Sequence, residues 1–349
     1  MSRTPVISRR RLLTGGGALL LGGAATVSGS CASLRHFPFD EGQREDSGAL
    51  EVHFFSVGCF LVRHAGLSLL TDPFFTHIPL WRAATGRVVP DPEQVNPYRS
   101  QLSDVQAITV GHGHYDHLLD LSEVAGDVSP SAQVVASPTV AHTFAPLDLP
   151  LAFVDAAANP AREDHAGSWV EVVPGRLRVL PIEGGHPDNI PGIHLFRKLL
   201  DEDRVGPPER AHHYQEGATF AFLVDWLHEG EVTCRVYVQT SSRGLPDGAF
   251  PLEILQERRV DVALLAMDCA NAEAAGRETI QERIKPRRIF FCHYGDFFRT
   301  KDQPRRETVK IDLEKTRRLV TSNEEREVLF PAWDSRFVFD LPEQETKVR

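Results

Sequence analysis

The stretch Gly111-His112-Gly113-His114-Tyr115-Asp116-His117 sets three imidazoles and a carboxylate within six residues. It follows an apolar run, Val105 to Val110, that reads as a buried strand ending in a glycine. On extended backbone, residues i and i+2 project to the same side. His112 and His114 can therefore converge on one ion, while Asp116 and His117 turn back toward a second position beside it. Imidazole with carboxylate suits zinc, iron or manganese, whereas calcium prefers cages built from oxygen alone. The competing reading is a solvated polar loop rich in histidine, which leaves the spacing unexplained.

Two further strand ends carry a histidine next to glycine: Glu183-Gly184-Gly185-His186-Pro187, and His293-Tyr294-Gly295-Asp296 after the run Arg288 to Cys292. Backbone geometry, rather than a helix face, would place both side chains. In Thr71-Asp72-Pro73 the proline stops a strand. Asp72 then either bonds its own turn or supports the histidine loop from behind. His77, in the proline-rich loop 74–100 with Trp81, is expected to be exposed. His142 is expected at the surface or half-buried. Residues 188–217 interrupt the strand pattern with an irregular insert. It has an apolar side (Ile190, Ile193, Leu195, Phe196, Leu199, Leu200) and a polar one (His194, His212, His213, Tyr214). Such an insert either closes over a substrate or packs on the core.

The elements that must position these groups begin with a hairpin series, Leu50 to Phe55, Cys59 to Arg63 and Leu67 to Leu70. Helices are expected over 118–125, 138–144, 252–259, 273–284 and 309–320. Strands are expected over 132–136, 151–154, 169–173, 177–181, 219–226, 232–240, 260–267, 288–292, 328–329 and 336–339. Strands first, then helix–strand units, twice over, predict an α/β chain of two sheets packed face to face with helices outside. Residues 50–340 would form one such domain, with a linker at 32–49 and a polar tail at 341–349.

His-x-His-x-Asp-His after a strand, with glycine-flanked His186 and His293, resembles the metallo-β-lactamase superfamily. The resemblance implies a four-layer αββα sandwich over roughly residues 50 to 340. It implies that His112, His114 and His186 bind a first metal, and that Asp116, His117 and His293 bind a second. It places Asp72 behind the metal loop. One or two divalent ions are expected, zinc foremost, with manganese or iron as alternatives. The family's bridging aspartate would fall where this chain reads Gln239-Thr240-Ser241, and no acid stands there. Asp268 could replace it, Cys269 could supply a thiolate, or a single metal could bind. The activity implied is hydrolysis by metal-activated water, with Asp116 orienting the nucleophile or taking its proton and His293 stabilising developing charge. Thr71-Asp72-Pro73, the proline-rich loop and His-Tyr-Gly-Asp resemble the lactonase and N-acyl-phosphatidylethanolamine phospholipase D-like branch. A phosphodiester, a lactone or a lipid-like ester is the substrate class that follows. A non-catalytic binding or scaffold protein of the cell envelope is the alternative.

A formal net charge of −10 over 349 residues, with no basic stripe, argues against a nucleic-acid partner. Ser8-Arg9-Arg10-Arg11-Leu12-Leu13, followed by an uncharged Gly/Ala/Leu run to Val27, reads as a targeting segment. The run is shorter than the ~20 residues a membrane span needs. Residues 1–31 resemble a twin-arginine signal, which implies export to the periplasm. Ser28-Gly29-Ser30-Cys31 is similar to a lipoprotein box, so Cys31 would either tether the chain to a membrane or be lost by simple cleavage nearby. Cys59, Cys234 and Cys292 lie in apolar runs and are expected as buried thiols.

Overall fold

A computed structural model describes residues 37, 39–42, 49–189, 192–274, 276–303, 312–321 and 326–342. The targeting segment 1–31 and the tail from 343 lie outside the described residues. The first half contributes β1 (Leu50–Ser56), β2 (Cys59–His64), β3 (Leu67–Thr71), β4 (Val105–Thr109), β5 (Gln133–Ala136) and β6 (Ala152–Asp155). The second half contributes β7 (Val170–Val173), β8 (Leu177–Glu183), β9 (Phe220–His228), β10 (Glu231–Gln239), β11 (Val262–Ala266), β12 (Arg288–Cys292) and β13 (Glu327–Leu329). The last strand, β14 (Ser335–Phe339), returns to the first sheet.

Both sheets have seven strands, ordered β14-β1-β2-β3-β4-β5-β6 and β13-β12-β11-β10-β9-β8-β7. In each, an antiparallel meander passes into parallel strands: β1 to β3 into β4, β5 and β6, and β7 to β10 into β11, β12 and β13. The parallel strands need crossovers, and short helices in the crossovers cover the outer faces.

Alternation along the strands divides the core. Val52, Phe54, Phe60 and Val62 pack with Val179, Phe222, Val236, Leu264 and Phe290 between the two sheets. Phe55, Leu61, Leu70, Ile108 and Val134 face the other way, under Val95, Leu118, Leu121, Val124 and Val140 of the first helical layer. β11 (VALLA) is buried at every position, as a parallel strand covered on both faces should be. The helix Leu313–Val320 covers the second sheet with Leu313 and Val320. The result is the four-layer sandwich expected from the sequence.

Some boundaries differ. The helix expected over 118–125 is two short ones, Tyr115–Leu118 and Leu121–Val124. They break at Asp120, whose buried carboxylate accepts from the amides of Phe75 (2.6 Å) and Thr76 (2.8 Å) and from the Thr76 hydroxyl (2.6 Å). The helix expected over 273–284 is Met267–Ala274 followed by Ile280–Ile284, the second opened by a Thr279/Glu282 capping box. Residues 252–259 form only a 3₁₀ turn, Leu252–Gln256. Cys59, Cys234, Cys269 and Cys292 are buried free thiols.

Candidate metal centre

The histidine loop leaves β4 and is fixed on both sides by backbone. Asp72, with φ 39° after β3, donates its amide to Thr109 O (2.8 Å) and accepts from the Gly111 amide (2.8 Å). Phe220 N donates to Gly111 O (2.8 Å), and Gly113 N donates to Glu216 O (2.7 Å). A side chain at residue 113 would collide with the Gln215 carbonyl, so glycine between the first two histidines is a steric requirement.

On this frame His112, His114 and His186 come together. Their ring centroids are 4.7 Å (112–114), 4.6 Å (112–186) and 4.7 Å (114–186) apart, and one nitrogen from each lies within 4.8 Å of the others. His114 donates Nε2 to Leu195 O (3.3 Å), and His186 uses Nδ1 on Pro187 O (2.5 Å). These bonds leave His114 Nδ1 and His186 Nε2 for a ligand, and His112 Nε2 lies 3.1 Å from His114 Nδ1. Burial holds all three imidazoles neutral: His112 well below its ordinary value, His114 at about 4 and His186 at about 2. Neutral imidazole is the form that coordinates a metal.

Asp116, His117 and His293 form a second group with ligand atoms within 4.8 Å of one another. His117 donates Nδ1 to Asp72 Oδ2 (2.7 Å), and its buried Nε2 has no hydrogen-bond partner among the described residues. Of the two roles open to Asp72, the structure thus gives it the one behind the metal loop. A carboxylate fixing the far nitrogen of an imidazole is the arrangement that orients metal-binding histidines. His293 follows β12 in the left-handed region, φ 59°, a sparsely populated conformation for a non-glycine residue. It brings Nε2 to 3.4 Å from Asp116 Oδ2. Burial would raise the Asp116 carboxyl, but the His117 charge and the His293 bond outweigh it and hold Asp116 well below the usual range. Burial likewise works against charge on His293, and Asp116 overrides it upward. The His112 and His117 rings, 4.0 Å apart, join the two groups. Two donor sets, each with two buried members and one half-buried histidine, fit divalent cations.

Thr240 stands at the position of the absent acid, buried, its side chain against Gly58 and Gly111. Gln239 turns away: its Nε2 donates to Asp247 O (3.0 Å) and its Oε1 accepts from the Tyr237 hydroxyl (3.2 Å). Asp268 is half-buried at the start of the helix after β11, outside the donor groups found among the described residues. Its charge still raises His293. The Cys269 thiol is buried, pushed far up by desolvation, and directed at Gln239.

His77 corrects the sequence expectation. It is 2% exposed rather than exposed, stacked on Phe74, with Nδ1 on Arg299 O (2.8 Å). His142 is half-buried and pairs with Asp203 (2.8 Å). A third donor group, His186, His194 and Glu216, was only partly visible in sequence. His194 stood out as polar on the insert, but Glu216 gave no signal because its partner lies 22 residues away.

No family model matches the chain, and no curated protein matches it by sequence. Solved structures do match. Igni18, a metallo hydrolase from the hyperthermophilic archaeon Ignicoccus hospitalis, shares 15% identity over 84% of this chain and 99% of that one, with a TM-score of 0.51. An isothiocyanate hydrolase from Delia radicum gut bacteria shares 13% over 83% and 99%, TM-score 0.46. A structure of the metallo-β-lactamase superfamily from Thermotoga maritima shares 13% over 84% and 100%, TM-score 0.36. At such identities the likeness concerns fold alone. Two mixed seven-stranded sheets with flanking helices, with His/Asp clusters where strand ends meet, are the architecture that the resemblance to the metallo-β-lactamase superfamily implies.

Proposed function

We propose that the chain is an exported metal-dependent hydrolase acting on a phosphodiester, lactone or related ester. The observation that carries this reading is the pair of largely buried donor groups, His112/His114/His186 and Asp116/His117/His293, facing each other at one end of the sandwich. Zinc suits the three-imidazole group best, and the carboxylate in the other also admits manganese or iron. Divalent ions held there would acidify a water and polarise the scissile centre. The remaining work falls to the chain. Ionised Asp116 orients the nucleophile, His293 completes the second donor group beside it, and Asp72 fixes the tautomer of His117. A cavity of about 880 Å³ beside His186 has room for substrate.

The lipid-like end of the substrate range is supported by the loop 74–100, where Trp81 is 71% and Leu80 49% exposed on the helix Leu80–Thr85. No helix among the described residues is long and apolar enough to cross a membrane. Export, and a membrane tether through Cys31, rest on the sequence of residues 1–31 alone.

The test compares the zinc-loaded chain with its His114→Ala variant on bis(4-nitrophenyl) phosphate and on an aliphatic lactone. Loss of one ligand from the three-imidazole group should lower kcat/KM at least 100-fold, with the circular dichroism spectrum unchanged. Equal turnover by the variant would remove the hydrolase reading and leave a non-catalytic envelope binding protein.

A further inference from the structure

The cavity beside His186 is walled by the end of β8, by the insert and by the segment after β10. Its lining holds two guanidinium groups in different states. Arg243 is built into place: its amide (2.9 Å) and Nε (3.0 Å) donate to Asp247 Oδ2, and Nη2 donates to Asp247 Oδ1 (2.7 Å). The guanidinium lies flat on Gly185, where any Cβ would overlap it. Residue 185 must therefore be glycine for this cation to sit one residue from His186. Held so by Asp247, the Arg243 side chain nevertheless remains 63% exposed. Arg197, on the insert wall, is exposed and makes no ion pair among the described residues.

The carboxylates of the same cavity are engaged. Glu216 pairs with His194, Glu183 lies 3.7 Å from Arg162, and Asp188 accepts from the Gly192 amide (3.0 Å). A planar guanidinium fixed by a bidentate carboxylate keeps donors on its outer edge, the geometry that recognises carboxylate or phosphate.

We infer that Arg243, with Arg197 of the same cavity lining, binds an anionic group of the substrate, carboxylate or phosphate, next to the candidate metal centre. Arg243 is thus a specificity residue, and Asp247 and Gly185 position it. That the bound molecule is a substrate rests on the hydrolase reading; the anion site itself does not.

Calorimetric titration of the zinc-loaded full chain with methyl phosphate and with succinate tests this. One of the two should bind, and which one tells phosphate from carboxylate. Its Kd should rise at least tenfold in Arg243→Ala and severalfold in Arg197→Ala, and should be partly restored in Arg243→Lys. Arg176→Ala, outside the cavity, should leave it unchanged. Arg243→Lys also carries the test should Arg243→Ala fail to fold: a Kd equal to wild type there, with Arg197→Ala also unchanged, overturns the inference. So does binding of neither anion. If anion affinity depends on Arg243 while His114→Ala turns over esters as well as wild type, the site stands and hydrolysis falls.

Discussion

At the scale of single residues, the candidate centre depends on groups that are not themselves donors. Asp72 is the clearest case, one carboxylate holding the Gly111 amide with one oxygen and His117 Nδ1 with the other. It fixes both the loop and the ring that the loop carries. Such supporting carboxylates are worth 10- to 100-fold in metal affinity. Asp72→Asn keeps the shape but removes the charge, and can present its amide nitrogen to Nδ1 in the wrong sense. We expect zinc affinity at the Asp116/His117/His293 group to fall by about that factor, with the His112/His114/His186 group little changed. Chelator competition on the two variants Asp72→Asn and Asp72→Asn/His114→Ala would separate the groups. Equal affinity in wild type and Asp72→Asn would show that the Asp72–His117 bond is incidental.

At the scale of elements, the loop after β3 and the helices after β4 are tied by Asp120. Burial, opposed by three donated hydrogen bonds, pushes its carboxyl up to about 6. A raised folded value means that the folded state favours the protonated form. That contribution is present below pH ~4 and is lost as pH rises through 6. Asp120→Asn cannot ionise, so the stability of wild type relative to this variant should decline by roughly 3 kcal/mol between pH 4 and pH 7. Urea unfolding of both metal-free proteins at four pH values checks it, and a difference that stays flat would refute the assignment.

Asp120 also explains why residues 115–124 hold two short helices where the sequence suggests one. Its carboxylate, turned to cap the loop at Phe75 and Thr76, interrupts the stretch. Similarly, the proline-rich surroundings of His77 suggest exposure, whereas the side chain is buried. Its burial depends on Phe74 and Trp333, the latter far along the chain. The strands and the six principal donors were legible because period-two apolar runs and histidines at glycine-flanked strand ends are local signals. Glu216, Arg243 and the role of Thr240 were not, since each acquires meaning only when distant segments meet.

At the scale of the whole molecule, two sheets converge to bring four imidazoles ring against ring, with no charge permitted on the innermost. Without an ion, buried nitrogens such as His117 Nε2 and His112 Nδ1 have no hydrogen-bond partner among the described residues, a destabilising arrangement. The strands that deliver the donors, β4, β8 and β12, come from both sheets. An ion bound among them joins the two halves, and the unfolded chain can offer no such set. Its binding energy should therefore appear as folding stability. At zinc a hundredfold above Kd, one filled site adds ~2.7 kcal/mol, which in a domain of this size is about 4 °C in Tm. Excess chelator should reverse the shift. Thermal melts with zinc, with chelator and after re-addition of zinc measure it, alongside elemental analysis of the same samples. Stoichiometric zinc with an unmoved Tm would mean that the ion binds the unfolded chain equally well, and the idea of a donor set assembled by the fold would have to be given up.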